Sequence, residues 1–208
     1  MRWRFSDVVS RRRLLEDSSL GKHATEEQKA CLSIRTTLLH RRVKAWIAIQ
    51  ELYMPSVTVH RANQTANETG QVSIGKIPLY LPSDIPLSIP CDGRLLEMEW
   101  ELRHAQCYDA LDDIRDGLRL KSFLVLEKKR NSVGQASQTR SATLLLRAEE
   151  RVKSSVACYH KARKALLSLS HRLTKPFPAE RLAEIKPEHL TMLPVDHLPT
   201  LGQVAKRT

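Results

Sequence analysis

Five carboxylates fall within twenty residues of chain at spacings a metal-dependent enzyme can use: Glu97, Glu101, Asp109, Asp113 and Asp116. Residues four apart share a helical face, so Glu97 with Glu101, or Asp109 with Asp113, come close enough to hold one ion. Two-metal nucleases need such clusters, because the ions activate water and steady the leaving oxygen. The neighbouring residues point elsewhere. Arg103 and Arg115 interleave with the acids, and Glu97, Glu99 and Glu101 alternate, which fans them over a wide arc of a helix. This is the pattern of a solvated helix face. No catalytic residue is assigned.

The other reactive side chains are equally dispersed. Cys31, Cys91, Cys107 and Cys158 form no C-x-x-C pair, which argues against a zinc site and against a disulfide scaffold. Cys107 and Cys158 lie on or beside apolar stripes, where cysteine acts as a small hydrophobe. The eight histidines show no H-x-x-x-H spacing, and no nucleophile elbow or phosphate-binding glycine loop is present. His104 fills the one gap in an apolar stripe and reads as a seam residue. No metal and no cofactor is expected.

The cations form the best candidate surface. Lys128, Lys129 and Arg130 are followed by Arg140, Arg147, Arg151, Lys161, Arg163 and Lys164. Lysine and arginine spaced along a groove contact phosphates and release counterions. Nothing resembles a base-reading helix, so such contact would be with the DNA backbone and non-specific. The formal net charge of +11 and pI near 9.8 favour an acidic partner. The competing reading is that these residues are solvated, or pair with an acidic helix.

The elements that position these groups are helices. Aromatic residues make up only 5% of the 208 residues and there are seven glycines, which suits helices better than a β-sandwich or a glycine-rich nucleotide fold. From Leu95 to about Lys129, apolar residues recur at Leu96, Trp100, Cys107, Leu111, Ile114 and Leu118, with Met98, Leu102 and Ala105 widening the stripe. The opposite face carries Glu97, Glu99, Glu101, Arg103, Asp112, Asp113, Arg115 and Asp116. Gly117 is a weak point, costing roughly 1 kcal/mol against alanine inside a helix. A polar stretch, Asn131 to Thr139, then leads into a second stripe: Leu145, Ala148, Val152, Val156, Tyr159, Ala162, Leu166, Leu169 and Leu173. A short link between long helices favours an antiparallel hairpin, each arm about 50 Å long. Charge agrees: Leu96–Leu118 has seven acids and two arginines, net −5, whereas Arg119–Ala165 has twelve Lys or Arg and three glutamates, net +9. Flanking pairs of this kind set register more than stability.

The expected organisation is all-α: the coiled-coil-like hairpin over 93–174, one more helix over 24–54, and a proline-rich loop over 55–92 between them. A basic segment, 1–23, precedes these, and an irregular tail with no closing element, 175–208, follows. The earlier helix opens at Thr25, whose partner Gln28 fits a capping box, and stops before Pro55. Its expected buried stripe is Cys31, Ile34, Leu38, Ala45, Ile49 and Leu52, with Trp46 on the flank. In the loop, Ile77-Pro78-Leu79-Tyr80-Leu81-Pro82 can lie along a helix. Asn67-Glu68-Thr69 matches a glycosylation pattern by letter only. Ala179–Ile185 is a candidate short helix.

Several of these stretches together resemble a family. Trp46-Ile47-Ala48-Ile49-Gln50-Glu51-Leu52-Tyr53-Met54-Pro55, then Leu79-Tyr80-Leu81-Pro82-Ser83, then Glu99-Trp100-Glu101-Leu102-Arg103-His104-Ala105-Gln106 are similar to an ordered series in fungal KDZ (Kyakuja-Dileera-Zisupton) transposases. Asp109–Arg115, Leu118–Ser122, Thr139-Arg140-Ser141 and Tyr159-His160-Lys161-Ala162-Arg163 continue it, so the resemblance spans roughly Thr25 to Leu173. It implies the helical region toward the C-terminal end of such a transposase. The family's DDE nuclease core and its cysteine-rich zinc module have no counterpart here, so no catalytic role is carried over. The expectation is a degenerate or truncated copy acting in structure and assembly, not an enzyme. Its partners would be DNA, the remainder of a transposase, or a second copy through the hairpin. The chain would be intracellular, and nuclear if the resemblance holds. No membrane is expected, since no apolar run approaches the roughly 20 residues needed to span one. The alternative is a free-standing coiled-coil protein-interaction module.

Overall fold

The computed structural model describes residues 25–65, 77–131 and 134–191. Among the described residues 78% are helical and none is in a strand. They fall into two compact units, dividing between Asp92 and Gly93. The segment 1–23, the Asn67-Glu68-Thr69 pattern and the last residues of the tail lie outside the described residues.

In the first unit, α1 runs Glu26–Tyr53 and α2 runs Pro55–Thr65. The start of α1 is a capping box. The Gln28 backbone N–H donates to Thr25 Oγ1 at 3.3 Å, and the Thr25 N–H donates to Gln28 Oε1 at 3.0 Å. The helix stops at Met54, as Pro55 requires. Contrary to the expected loop over 55–92, however, a second helix starts at once. Proline lacks only an N–H that a first helical turn leaves unpaired, and its fixed φ is already helical. Met54 and Val57 bury at this joint.

The face α1 buries also differs from expectation. Leu39, Val43 and Gln50 are buried, with Leu32, Ile47, Ile77 and Leu79 packed against Leu39 and Val43. Ile34 is 63% exposed, Leu38 47% and Leu52 80%. The sequence offers two apolar stripes on α1. The segment from Ile77 covers the one bearing Trp46 and Gln50, whose side chains satisfy the segment's carbonyls.

In the second unit, α3, Gly93–Asn131, and α4, Gln135–Leu173, pack against each other as a helical hairpin. Each has 39 residues, about 58 Å at 1.5 Å per residue. The polar link expected over Asn131–Thr139 is mostly helix. Thr139 and Thr143 return their hydroxyls to the carbonyls four residues back, so polarity does not break the helix. Gly134 begins α4 at φ +88°, which a side chain would resist. The core joins Cys107, Ala110, Ile114 and Leu118 of α3 to Val152, Tyr159, Ala162 and Leu166 of α4. It is confined to one end. No residue of Gln135–Arg147 is buried, and the last buried residue of α3 is Ser122.

As far as residue 191 the tail is irregular but not loose; its basic end, to which the expectation of no closing element applies, lies outside the described residues. Leu182 is fully buried in the hairpin core, and Phe177, Ile185 and Leu190 pack against it. Tyr159 Oη donates to the Ala183 carbonyl at 2.6 Å and Arg163 Nε to the Leu182 carbonyl at 2.9 Å. Ala179–Ile185 does not form a helix. A single turn, closed from Leu182 N–H to Pro178 O at 3.0 Å, is followed by extended chain and a 3₁₀ turn at Pro187–His189. Pro176 and Pro178 deny the chain two backbone donors and keep it from continuing α4.

Gly117 is where the hairpin closes most tightly. A Cβ placed there would stand 2.6 Å from Val152 Cγ2. Gly117→Ala should therefore destabilise the chain by about 1–3 kcal/mol through overpacking, despite the helix propensity it gains. Denaturant titration followed by circular dichroism reads this, and Val152→Ala should suppress most of the loss.

Candidate nucleic-acid interface

The hairpin brings some of the nine candidate cations together and separates others. Lys128, Lys129 and Arg130 are exposed in the last turn of α3, where cations favour the helix dipole. Arg140 is exposed near the start of α4, so these four flank the same turn. Arg147 lies two turns further on, with Arg151 beyond it on the same face. From Lys128 to Arg147 the chain has five Lys or Arg and no Asp or Glu. This cationic end is the end that buries nothing.

The remaining candidates are placed differently. Arg151 pairs with Asp113 at 3.5 Å across the hairpin, both side chains more than half exposed. Lys161 and Lys164 are exposed, but about 30 Å along α4 from Arg140. Arg163 leaves the candidate surface altogether. Its Nε holds the Leu182 carbonyl and its guanidinium stands 5.4 Å from the Phe177 ring. A second cross-helix pair runs the other way in charge, Lys121 to Glu149 at 2.8 Å, and the lysine's hydrogen bond holds the Glu149 carboxyl below its ordinary pKa.

Most acids of α3 are engaged with cations, whereas among the described residues Glu101 and Asp109 are exposed and make no ion pair. Glu97 meets Lys175 at 3.4 Å, Asp112 meets Arg115 at 2.8 Å, and Asp116 meets Arg119 at 3.1 Å. Among the described residues no three His, Cys, Asp or Glu side chains converge to hold a metal ion. His104 stacks on Trp100 at 5.1 Å and meets the Tyr108 edge at 5.0 Å, a seam residue within an aromatic row.

The residues that carry the family resemblance are found clamping main chain and buried charge. Trp46 Nε1 donates to the Leu79 carbonyl at 2.9 Å, and Gln50 Nε2 donates to the Leu79 and Tyr80 carbonyls, each at 2.8 Å. Arg61 donates to Gln50 Oε1 at 2.6 Å and to the Pro78 carbonyl at 3.2 Å. Two stretches thirty residues apart thus become one joint. Tyr80 sits at φ +47°, a strained conformation for a large side chain, and is over-determined there. Its hydroxyl donates to Gln64, its ring meets the His60 edge, and the Arg61 guanidinium lies 4.9 Å over it.

In the hairpin, Arg103 and Glu99 are not on a solvated face as the alternating charges suggest. Arg103 is 1% exposed and its Nε bonds Glu99 Oε1 at 3.1 Å, with Glu99 also buried. Arg103 further donates to Gln106 Oε1 at 3.1 Å, and Gln106 Nε2 reaches Cys158 Sγ at 3.3 Å on α4. Met98 and Leu102, expected to widen the buried stripe, are exposed instead. The buried sector of α3 includes Glu99 and Arg103, and Gln106, which Arg103 holds, is the residue that reaches α4. The signal available in the sequence was the four-residue step from Glu99 to Arg103 flanked by Leu96 and Cys107.

Comparison of the chain with protein-family models, with curated proteins and with solved structures finds no match.

Two predictions follow from the buried groups. Arg103→Met removes the ion pair from the buried Glu99 carboxylate and should cost about 3–5 kcal/mol, whereas Arg103→Met with Glu99→Leu should recover most of it; urea titration of the single and double variants measures both. Burial is the largest cause raising the Cys107 thiol pKa from 9.0 to about 11, with Cys158 adding to it. Its stabilising contribution is present below pH 9 and is lost as pH rises toward 11. In Cys107→Ala the fall in melting temperature between those values should be smaller, leaving the later contribution of Tyr159, whose pKa burial also raises.

Proposed function

We propose that this chain is a non-catalytic helical region of a KDZ-like DNA transposase, bracing or assembling the larger complex and contacting DNA backbone through the open end of its hairpin. The observation that carries the DNA contact is the twenty-residue stretch Lys128–Arg147, with five cations and no acid, at the end of α3 and α4 that lacks a core. Among the described residues Lys128, Lys129, Arg130, Arg140 and Arg147 make no side-chain hydrogen bond or ion pair. They are therefore available to phosphates without first breaking an internal contact. The ordered series of motifs supports the transposase part of the reading, and the clamping roles of Trp46, Gln50, Arg103 and Arg163 are consistent with a structural element. No helix among the described residues is long and apolar enough to cross a membrane.

The test is duplex-DNA binding by fluorescence anisotropy across a salt series, with scrambled sequences. About five phosphate contacts give a log–log slope of roughly −4.5. The triple variant Lys128→Ala, Lys129→Ala, Arg130→Ala should reduce that slope by about 3 and weaken every sequence alike. Absence of binding at low salt, or a slope the variant leaves unchanged, would overturn the proposal. Salt-insensitive self-association in its place would favour a free-standing coiled-coil interaction protein.

A further inference from the structure

The apolar stripe that α1 leaves outside is a heptad seam. Cys31, Ile34 and Leu38, then Arg41, then Ala45, Ala48 and Leu52 recur at alternating steps of three and four through three heptads, and all seven are exposed. The opposite face of the same helix is already occupied by Ile77 and Leu79. A strict seam of this width is the geometry of knobs-into-holes packing against one more helix. It is narrower than the apolar face with which a helix lies in a bilayer surface.

Charge selects the partner. From Lys29 to Gln50 there are five Lys or Arg and no Asp or Glu. Lys29 pairs with Glu26 at 2.8 Å, and Arg35 and Arg42 each already have a partner, so the selection rests on Lys44 beside the seam and Arg41 inside it. Arg41 is the fourth of the seam's seven positions. A second copy of α1 paired in register, parallel or antiparallel, would bring Arg41 against Arg41. A polar residue at one seam position specifies its partner at a cost in stability unless matched. We infer that the exposed seam of α1 docks an acidic heptad-patterned helix of a partner protein, with a carboxylate opposite Arg41. None of the hairpin cations takes part, so this inference and the DNA contact stand or fall separately.

The experiment uses the full chain and a fluorescein-labelled synthetic helix carrying Leu at its seam positions, Glu at its flanks and one central Glu in the seam. Saturable binding is expected, weakened at least tenfold by Ile34→Asp with Leu38→Asp, substitutions at exposed sites that should leave the circular dichroism unchanged. Arg41→Glu should weaken binding, and a peptide with lysine at its central seam position should restore it. Thiol labelling read by mass spectrometry should modify Cys31 in the free chain and spare it in the complex. The inference is overturned if the peptide does not bind, or binds the Ile34→Asp, Leu38→Asp variant equally. It is also overturned if Cys31 is already protected in the free monomer, or if sedimentation shows a dimer that this variant dissolves. Seam-dependent binding to vesicles of phosphatidylserine and phosphatidylcholine, with no peptide binding, would likewise overturn it.

Discussion

A fully buried guanidinium has to be neutralised where it stands, and the hairpin is arranged around doing so. Glu99 one turn before Arg103 and Gln106 one turn after it both hold the guanidinium, and Gln106 in turn donates to Cys158 on the facing helix. This chain of donors ends on α4. Further along the same pair of helices, Gly117 lets α3 come close to Val152. A buried ion pair of this sort adds little net stability compared with an apolar pair. What it supplies here is a polar link: through Gln106 the pair reaches Cys158 on α4.

From that base the hairpin changes character along its length. Where Cys107, Ile114, Tyr159 and Leu166 meet, the tail folds back and seals the core with Leu182, held by Tyr159 and Arg163. Among the described residues beyond Ser122 and before Ala148 none is buried: Phe123–Leu126 and Leu145 are half-covered, Leu144 and Leu146 are exposed, and every charged residue from Lys128 to Arg147 is a cation. A long hairpin packed at one end presents the other to solvent on a rigid stem. Under the proposed DNA contact, that arrangement would carry the cationic tip to a polyanion.

Much of the fold is legible in the sequence because helix periodicity and punctuation are local signals. Thr25 with Gln28, Pro55, and the two long stripes fix α1 and the hairpin without reference to tertiary contacts. The errors share one physical origin. Ile34, Leu38 and Leu52 form a better apolar stripe than Leu39, Val43 and Gln50, yet the second is buried, because Trp46 and Gln50 carry donors that a loop's carbonyls need. Glu99 and Arg103 read as solvent-facing because the alternation of Glu99 with Glu97 and Glu101 hides the four-residue step that pairs it with Arg103. α2 was hidden because proline is both a helix breaker and a good first helical residue. The tail looked open because its apolar residues follow no period. For the candidate site, the cations at the hairpin end were visible as a run without acids, whereas the diversion of Arg163 to a main-chain carbonyl depends on a tail no local pattern places.

The central claim is the contrast between a packed base and an open, cationic tip on one continuous hairpin. Residue-resolved hydrogen exchange on the full chain tests it most directly. The slowest amides should lie in Cys107–Leu118 and in Ala148–Leu169, with Leu182 protected beside them, and rates should rise steadily toward Asn131 and Gln135. Uniform protection along both helices, or slowest exchange near the turn, would contradict the account.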